Sequence, residues 1–410
     1  MSNVKINIKE NKYDFNIEDL VVMGNRANNP KRNFLFISKV LGKHLEVKPD
    51  ICKATGFLLA HLVYENKSPF NIDIFKDYLS NPVDEYKDIK EEMRKYINPN
   101  ENVLVMGFAE TATGLGMSVA CAIKDSYYVT TTRERLNSVK SFFNFEEEHS
   151  HATSHKCYLQ DLDKLKNADR IILVDDEITT GNTMLNLIKE LEKVSKAKKY
   201  TVLSILDWRN PEYLAKYEEF KKELNVDIEV KSLIYGHIES LDNTIYTGDT
   251  EIELIDELSP IKIDVLDKVS HLLENGDTKE YITLSGRFGV SYDQMRELEI
   301  KAKILANKLK EYLSEDDKVL VLGHGENIYI PSRIASYLEG AEFKTTSRSP
   351  IFVKDDNKYP IRDRHFFNVE GVKYHLYNKN DIENKYNKVF LITEDKIITK
   401  LTNNMEIIYI

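Results

Sequence analysis

Two adjacent carboxylates, Asp175 and Asp176, are followed by Glu177 and then by Thr179, Thr180, Gly181, Asn182 and Thr183. An apolar run, Arg170–Val174, delivers the acids, and a helical pattern begins at Asn182. Paired acids at a strand end can accept hydrogen bonds from the vicinal hydroxyls of a sugar. The hydroxyls and amides of the turn that follows can hold a phosphate, and the N-terminal end of the helix adds a positive dipole. Gly181 lets the backbone approach a ligand with no side chain in the way. No lysine follows the glycine, so this is not a Walker loop, and no G-x-G-x-x-G follows a strand near the start of the domain; ATP hydrolysis and nicotinamide binding are therefore disfavoured. A surface acid before a helix N-cap accounts for the acids alone but not for the ordered threonines.

A second strand-to-helix passage, Gly107–Gly116, carries Ala109, Glu110, Thr111, Ala112 and Thr113, small or hydrogen-bonding residues that suit contact with phosphate oxygens. Between Arg133 and Tyr158 lies a long irregular segment holding Arg133, Arg135, Lys140, His151 and His155. Segments of that length inside compact domains are often lids. The histidine spacing H-x-H-x-x-x-H has no carboxylate or cysteine partner to place beside it, which disfavours a metal site there.

The elements that must position these residues read as α/β. Strands are expected at Val103–Gly107, Tyr127–Thr132, Arg170–Val174, Lys199–Leu206 and Lys318–Leu322, with helices at Asp84–Tyr96, Leu115–Lys124, Asn182–Val194 and Pro211–Leu224. The polar stretch Gly236–Asp256 is the expected linker before a second domain that opens near Ser259. A repeat supports that division. VLVMGFAE with TTTR downstream (Thr130–Arg133) matches VLVLGHGE with TTSR (Thr345–Arg348), so that Glu326 stands where Glu110 does and Arg348 where Arg133 does. Leu173–Gly181 faces Leu391–Thr399, an acidic turn without the glycine, so the second copy reads as degenerate.

Composition restricts the partners. The 410 residues carry 57 Lys+Arg against 67 Asp+Glu, a net charge of −10, and show no basic face of the kind that holds nucleic acid. The three cysteines, Cys52, Cys121 and Cys157, lack C-x-x-C spacing, which argues against a zinc site or a disulfide framework. No signal-like or membrane-length apolar stretch is present, so the expectation is a cytoplasmic protein that engages neither membrane nor nucleic acid.

The string VDDEITTGNT resembles the phosphoribosyl-pyrophosphate (PRPP) signature of type I phosphoribosyltransferases. Over residues 20–400 the chain resembles the orotate-phosphoribosyltransferase-like proteins of bacterial tellurium-resistance and stress gene clusters. Their second domain is named TRSP for Thr-Arg-Ser-Pro; here the string is Ser347-Arg348-Ser349-Pro350, with Ser for Thr. The resemblance implies a type I phosphoribosyltransferase-like parallel sheet with an N-terminal hood over residues 1–250, and a second, related and degenerate α/β domain over 259–410. It implies transfer of the phosphoribosyl group of PRPP to a nitrogenous base with release of pyrophosphate, Mg2+ as cofactor, and a nucleotide-like product in a stress or tellurium-resistance pathway. Asp175 and Asp176 would hold the ribose and, through Mg-PRPP, the metal. Glu177 and Thr179–Thr183 would complete the PRPP loop, Ala109–Thr113 the pyrophosphate loop, and Arg133, Arg135, Lys140, His151 and His155 the catalytic lid. Lys43 and His44 of the hood would meet the base. Gly323, Glu326 and Arg348 are candidates for a second, nucleotide-like or acidic ligand. A homodimer and partner enzymes of the same gene cluster are implied as well. The alternative is a sensor that binds PRPP without chemistry; the lid favours an enzyme, as does the lack of a DNA-binding appendage.

Overall fold

The computed structural model describes residues 4–29, 32–65, 70–80, 86–146, 154–240, 244–247 and 251–410. The apolar runs of the first half assemble in the order Val4–Glu10, Asp227–Ser240, Lys199–Asp207, Arg170–Val174, Val103–Gly107, Tyr127–Thr130, Val290–Ser291. The central five strands are parallel, and the two edge strands are antiparallel. Val103–Gly107 and Tyr127–Thr130 are buried at every position, as strands covered on both faces must be.

A second sheet runs Ile261–Lys262, Met405–Tyr409, Lys388–Thr393, Val319–Gly323, Glu342–Thr345, all parallel. Its last four strands repeat the order of the first sheet's Lys199–Asp207, Arg170–Val174, Val103–Gly107 and Tyr127–Thr130. The correspondence extends to register and single hydrogen bonds. Gly107 lies opposite Thr130, and Gly323 opposite Thr345. Thr131 N–H donates to Gly107 O at 2.9 Å, and Thr346 N–H to Gly323 O at 3.2 Å. The Thr131 hydroxyl accepts from Ala109 N–H at 2.9 Å as the Thr346 hydroxyl accepts from Gly325 N–H at 3.3 Å. Farther along, Leu136 N–H donates to the Tyr158 hydroxyl and Ile351 N–H to the Tyr377 hydroxyl, at 2.9 and 3.0 Å. The irregular segment after Arg133 contains an antiparallel pair, Phe143–Glu146 with Ser154–Cys157, and its counterpart in the second half is Arg364–Val369 with Val372–Tyr377.

The two halves are interleaved in space. Each begins with an antiparallel hairpin, Val21–Asn25 with Phe34–Ser38 and Lys268–Leu272 with Thr278–Ile282. Each hairpin reaches the irregular segment of the other half: Phe352 N–H donates to Asn25 O at 2.9 Å, and Asn137 N–H to Leu272 O at 2.7 Å. Past the hairpins, Gly286 O accepts from Thr130 N–H at 3.0 Å and Gly42 O from Thr345 N–H at 2.7 Å. The edge of each sheet is thus finished by backbone from the opposite half, which satisfies amides that burial would otherwise leave unpaired.

Several expected boundaries move. Gly236–Ser240, expected in the linker, continues the strand Asp227–Ser240 because Val4–Glu10 pairs with it antiparallel. The strand expected over Tyr127–Thr132 stops at Thr130, since Thr131 turns to bond Gly107. The helix expected at Leu115 begins at Thr113 and ends at Ala122, and that from Asn182 ends at Leu191. The helix expected over Asp84–Tyr96 is described as Tyr86–Glu92, with residues 81–85 outside the described set.

Gly42 and Gly286 occupy equivalent turns at φ +70° and +85°, and a Cβ would drive into the rings of Phe343 and Tyr128 respectively. Gly42→Ala and Gly286→Ala are each expected to lower unfolding free energy by about 1–3 kcal/mol from backbone strain alone. Urea denaturation measures it, and an unchanged midpoint in either variant would contradict the shared turn geometry.

Candidate active site

Three neighbouring parallel strands end level with one another, Gly107 lying opposite both Val174 and Thr130. The loops that leave them, residues 175–181, 108–112 and 131–133, therefore emerge together at the carboxyl edge of the sheet, where open parallel sheets bind ligands. Phe108 N–H donates to Val174 O at 3.1 Å and ties two of the loops at their roots. Helix Asn182–Leu191 is anchored by buried Met184, Leu185, Leu187, Ile188 and Leu191, which aims its N-terminus at this edge. Gly181 caps it at φ 72°. The Tyr217 hydroxyl donates to Gly181 O at 2.9 Å, Asn182 N–H to the Thr180 hydroxyl at 3.3 Å, and Lys216 Nζ to Asn182 Oδ1 at 2.5 Å. Thr179, Thr180 and Thr183 are half-buried around the turn.

Asp175, Asp176 and Glu177 put three carboxylates at one strand end. Asp176 N–H donates to Asp175 Oδ1 at 2.9 Å, and Arg32 Nη2 pairs with Glu177 Oε1 at 2.5 Å. Burial and the charge of Glu177 push the Asp176 carboxyl up to about 6, against the pull of Arg32. Such an acid is relieved by a divalent cation or by hydroxyl donors, the two partners that a metal-bound sugar phosphate supplies. No three metal-ligating side chains converge among the described residues, so an ion here would share its coordination with the ligand.

Glu110, in the neighbouring loop, is buried, with Lys43 Nζ at 3.0 Å from its Oε1. Burial raises its pKa, but Lys43, Arg133 and Arg348 prevail and hold it at about 2. The Ala109–Glu110 peptide is cis, Ala109 and Ala112 are buried, Thr111 is half-buried, and the Thr113 hydroxyl donates to Glu326 O at 2.7 Å.

Other expected residues land elsewhere. Lys43 and His44 lie buried between the halves: Lys43 donates to Gly325 O at 3.0 Å, and His44 Nε2 meets the Ser347 hydroxyl at 3.2 Å. Burial drops His44 to about 3, so it sits there as a neutral ring. Among the lid cations, Arg133 is half-buried beside Glu110, whereas Arg135 is exposed and pairs with Glu274 at 3.4 Å, and Lys140 is exposed. His155 is fully buried with its Nδ1 3.0 Å from the Thr131 hydroxyl, so it braces the strand end rather than swinging over it. His151 lies outside the described residues.

In the second half the strand Lys388–Thr393 delivers Glu394 and Asp395 where the first half has Asp176 and Glu177. Both are already matched. Arg287 Nη1 lies 2.9 Å from Glu394 Oε1, and Lys279 Nζ lies 2.5 Å from Asp395 Oδ1 and 3.0 Å from Glu134 Oε1. Gly323 ends its strand as Gly107 does, Arg348 bonds the Tyr374 hydroxyl with Nε at 3.0 Å, and Glu326 turns toward the first half. Both acids thus have cationic partners within the chain, and the second acidic turn lacks the Thr-Gly loop as well. Sequence reasoning missed Arg32, Lys279 and Arg287. Arg287 was findable, because Gly286-Arg287-Phe288 repeats the glycine, cation and ring of Gly42-Lys43-His44.

A family model described as phosphoribosyl transferase matches residues 20–237, and one described as the TRSP domain C-terminal to it matches 284–408. The chain is similar to hypoxanthine/guanine phosphoribosyltransferases of Methanosarcina mazei, 34% identical over 83 residues (20% of this chain, 42% of that protein), and of Methanosarcina barkeri, 31% over 106 residues (25% and 54%). It thus spans about half the length of these curated relatives. Among solved structures it is similar to adenine phosphoribosyl transferase of Trypanosoma brucei, with 16% identity, 53% of this chain and 76% of that one covered, and a TM-score of 0.31. Orotate phosphoribosyltransferase of Mycobacterium tuberculosis gives 14%, 52%, 87% and 0.23. No helix among the described residues is long and apolar enough to cross a membrane.

The raised Asp176 carboxyl fixes the sign of a stability effect. Its folded value of about 6 exceeds the unfolded value, near about 3.9, so the folded state binds more protons in that window and stability falls as pH rises through it. Asp176→Asn removes the penalty and is expected to stabilise the ligand-free protein at pH 7 by on the order of 1–2 kcal/mol, allowing for partial exposure, with no gain near pH 4. Denaturant unfolding at the two pH values measures this; a variant less stable than wild type at pH 7 contradicts it.

Proposed function

The chain belongs to this phosphoribosyl transferase family, and from that premise we propose that it transfers the phosphoribosyl group of PRPP to a nitrogenous base and releases pyrophosphate. The observation that carries the reading is the convergence of three strand-end loops, one bearing the acids and phosphate turn, one bearing Glu110, one leading to Arg133. In the reaction the bond from ribose C1 to the pyrophosphate oxygen breaks, and its electron pair leaves with pyrophosphate. A bond from the base nitrogen to C1 forms, and that nitrogen loses its proton to solvent. Asp175 and Asp176 accept from the ribose hydroxyls and hold the ring while positive charge develops at C1. Residues Thr179–Thr183 and the helix end bind the 5′-phosphate. The amides of residues 109–113 and the Arg133 guanidinium receive the leaving pyrophosphate. Magnesium, when bound with the diphosphate, lowers the charge of the leaving group, and Asp175 and Asp176 are the residues that would hold it. Resemblance to proteins of tellurium-resistance and stress gene clusters supports a nucleotide-like product for such a pathway, made in the cytoplasm alongside enzymes of the same cluster. Two chains pair in this reading, so light scattering should give about twice the 47.6 kDa of one chain.

Calorimetry with PRPP and Mg2+ tests the binding step. Asp175→Asn and Asp176→Asn are each expected to weaken it about 10- to 100-fold, the loss of a charge-assisted hydrogen bond of about 1.5–3 kcal/mol. The gain in apo stability and the loss of affinity at Asp176 then have opposite signs. Pyrophosphate release across a panel of bases tests the chemistry. PRPP binding without release from any base would make the chain a binding protein, and no PRPP binding overturns both readings.

A further inference from the structure

Glu326 belongs to the second half, yet every hydrogen bond of its carboxylate goes to the first. Its Oε1 accepts from Arg133 N–H at 2.9 Å and its Oε2 from the Thr132 hydroxyl at 2.6 Å. Its backbone carbonyl accepts from the Thr113 hydroxyl, and Arg287 Nη2 stands 3.7 Å from Oε2. The side chain is only 7% exposed, so these bonds form away from competing water. The loop that carries it is itself braced, because His324 Nδ1 lies 2.8 Å from the Thr346 hydroxyl and Asn327 N–H donates to His324 O at 3.0 Å.

The first half does not return the contact. Glu110, at the equivalent position, meets Lys43 as Glu326 meets Arg287, but among the described residues its carboxylate takes no hydrogen bond from Ser347 or Arg348, and Ser347, the counterpart of Thr132, pairs with His44. An asymmetric contact between symmetric scaffolds marks a specific task. Thr132 and Arg133 lie where the buried strand end becomes the lid segment, and a carboxylate accepting two donors there fixes the direction in which Arg133 leaves the strand. The backbone carbonyl of the same residue holds Thr113 at the end of the adjacent loop, so one residue touches both segments.

Resting on the proposed reading of the site, we infer that Glu326 is a positioning residue for PRPP binding and turnover. It acts through Arg133 and the 108–113 loop, and the first half's site is incomplete without the second half.

Hydrogen–deuterium exchange over residues 130–136, with Mg-PRPP calorimetry on full-length wild type, E326Q, E326A, R133A and R133A/E326A, tests this. E326A is expected to raise amide exchange at 132–134 by about 10-fold or more and to weaken PRPP binding about 5- to 10-fold. E326Q, which keeps one acceptor oxygen, falls between wild type and E326A, and it serves if E326A does not fold. In the R133A background E326A adds less than about 2-fold, because the two act as one unit. Additive losses, or an E326Q protein with wild-type exchange and affinity, overturn the inference. A wild-type protein that binds no PRPP overturns the proposed function instead, and exchange at 132–134 still decides whether Glu326 holds the segment.

Discussion

Buried charge at the seam between the two halves is the constraint on which the rest of the structure depends. Glu110, Lys43 and Arg287 are buried, and the side chain of Glu326 is 7% exposed. A charge taken out of water must find partners, and removing one member of such a pair costs about 3–5 kcal/mol because the other is left stranded. Each cation follows a left-handed glycine whose carbonyl accepts a strand-end amide of the opposite half. The electrostatics and the sheet edges are therefore satisfied by the same turns. Separating the halves would expose two sheet edges and unpair these turns together, so the seam binds the chain into one cooperative structure.

One scaffold supports two electrostatic outcomes. At the first acidic turn burial and mutual repulsion leave Asp176 with a raised pKa. At the second, Lys279 and Arg287 pair with Asp395 and Glu394 from within the chain, although burial and the charge of Asp395 still raise the Glu394 carboxyl. A buried carboxyl held at a raised pKa, as Asp176 is, favours a ligand that brings a cation or hydroxyl donors to it. The difference comes from the hairpins. The second hairpin brings Lys279 onto Asp395, while among the described residues of the first hairpin Arg32 engages Glu177.

The strands and helices around the site were legible because their signal is local: apolar runs ending in acid or glycine, then a 3.6-residue period. The duplication was legible too, since Gly107 with Thr130 and Gly323 with Thr345 stand at offsets of 23 and 22 residues along the chain. The roles of Lys43, His44 and His155 were not, because a polar side chain before a strand or in a long loop carries no mark of its burial. Burial at those positions is decided by what the opposite half places over them, and sequence distance hides that: Lys43 and Gly325 are 282 residues apart. The linker was misplaced for a related reason. Gly236–Ser240 reads as polar because it lies next to the sheet edge, and its strand partner is at the far N-terminus.

The net charge of −10 sits awkwardly beside a polyanionic ligand only if charge is averaged over the chain. Screening confines most surface charges to about 8–10 Å, so what a ligand meets is the local set. Around Glu110 that set holds Lys43, Arg133 and Arg348, the cations that keep its carboxylate ionised. Lys43 and Arg348 act on Glu326 as well, so three cations face two glutamates, while Arg287, 3.7 Å from Glu326, is already paired with Glu394 at 2.9 Å. One of the three, Arg348, comes from the second half. A half without its own phosphate turn can thus still serve the first, through charge and the orientation of Arg133, and needs no ligand of its own to do so.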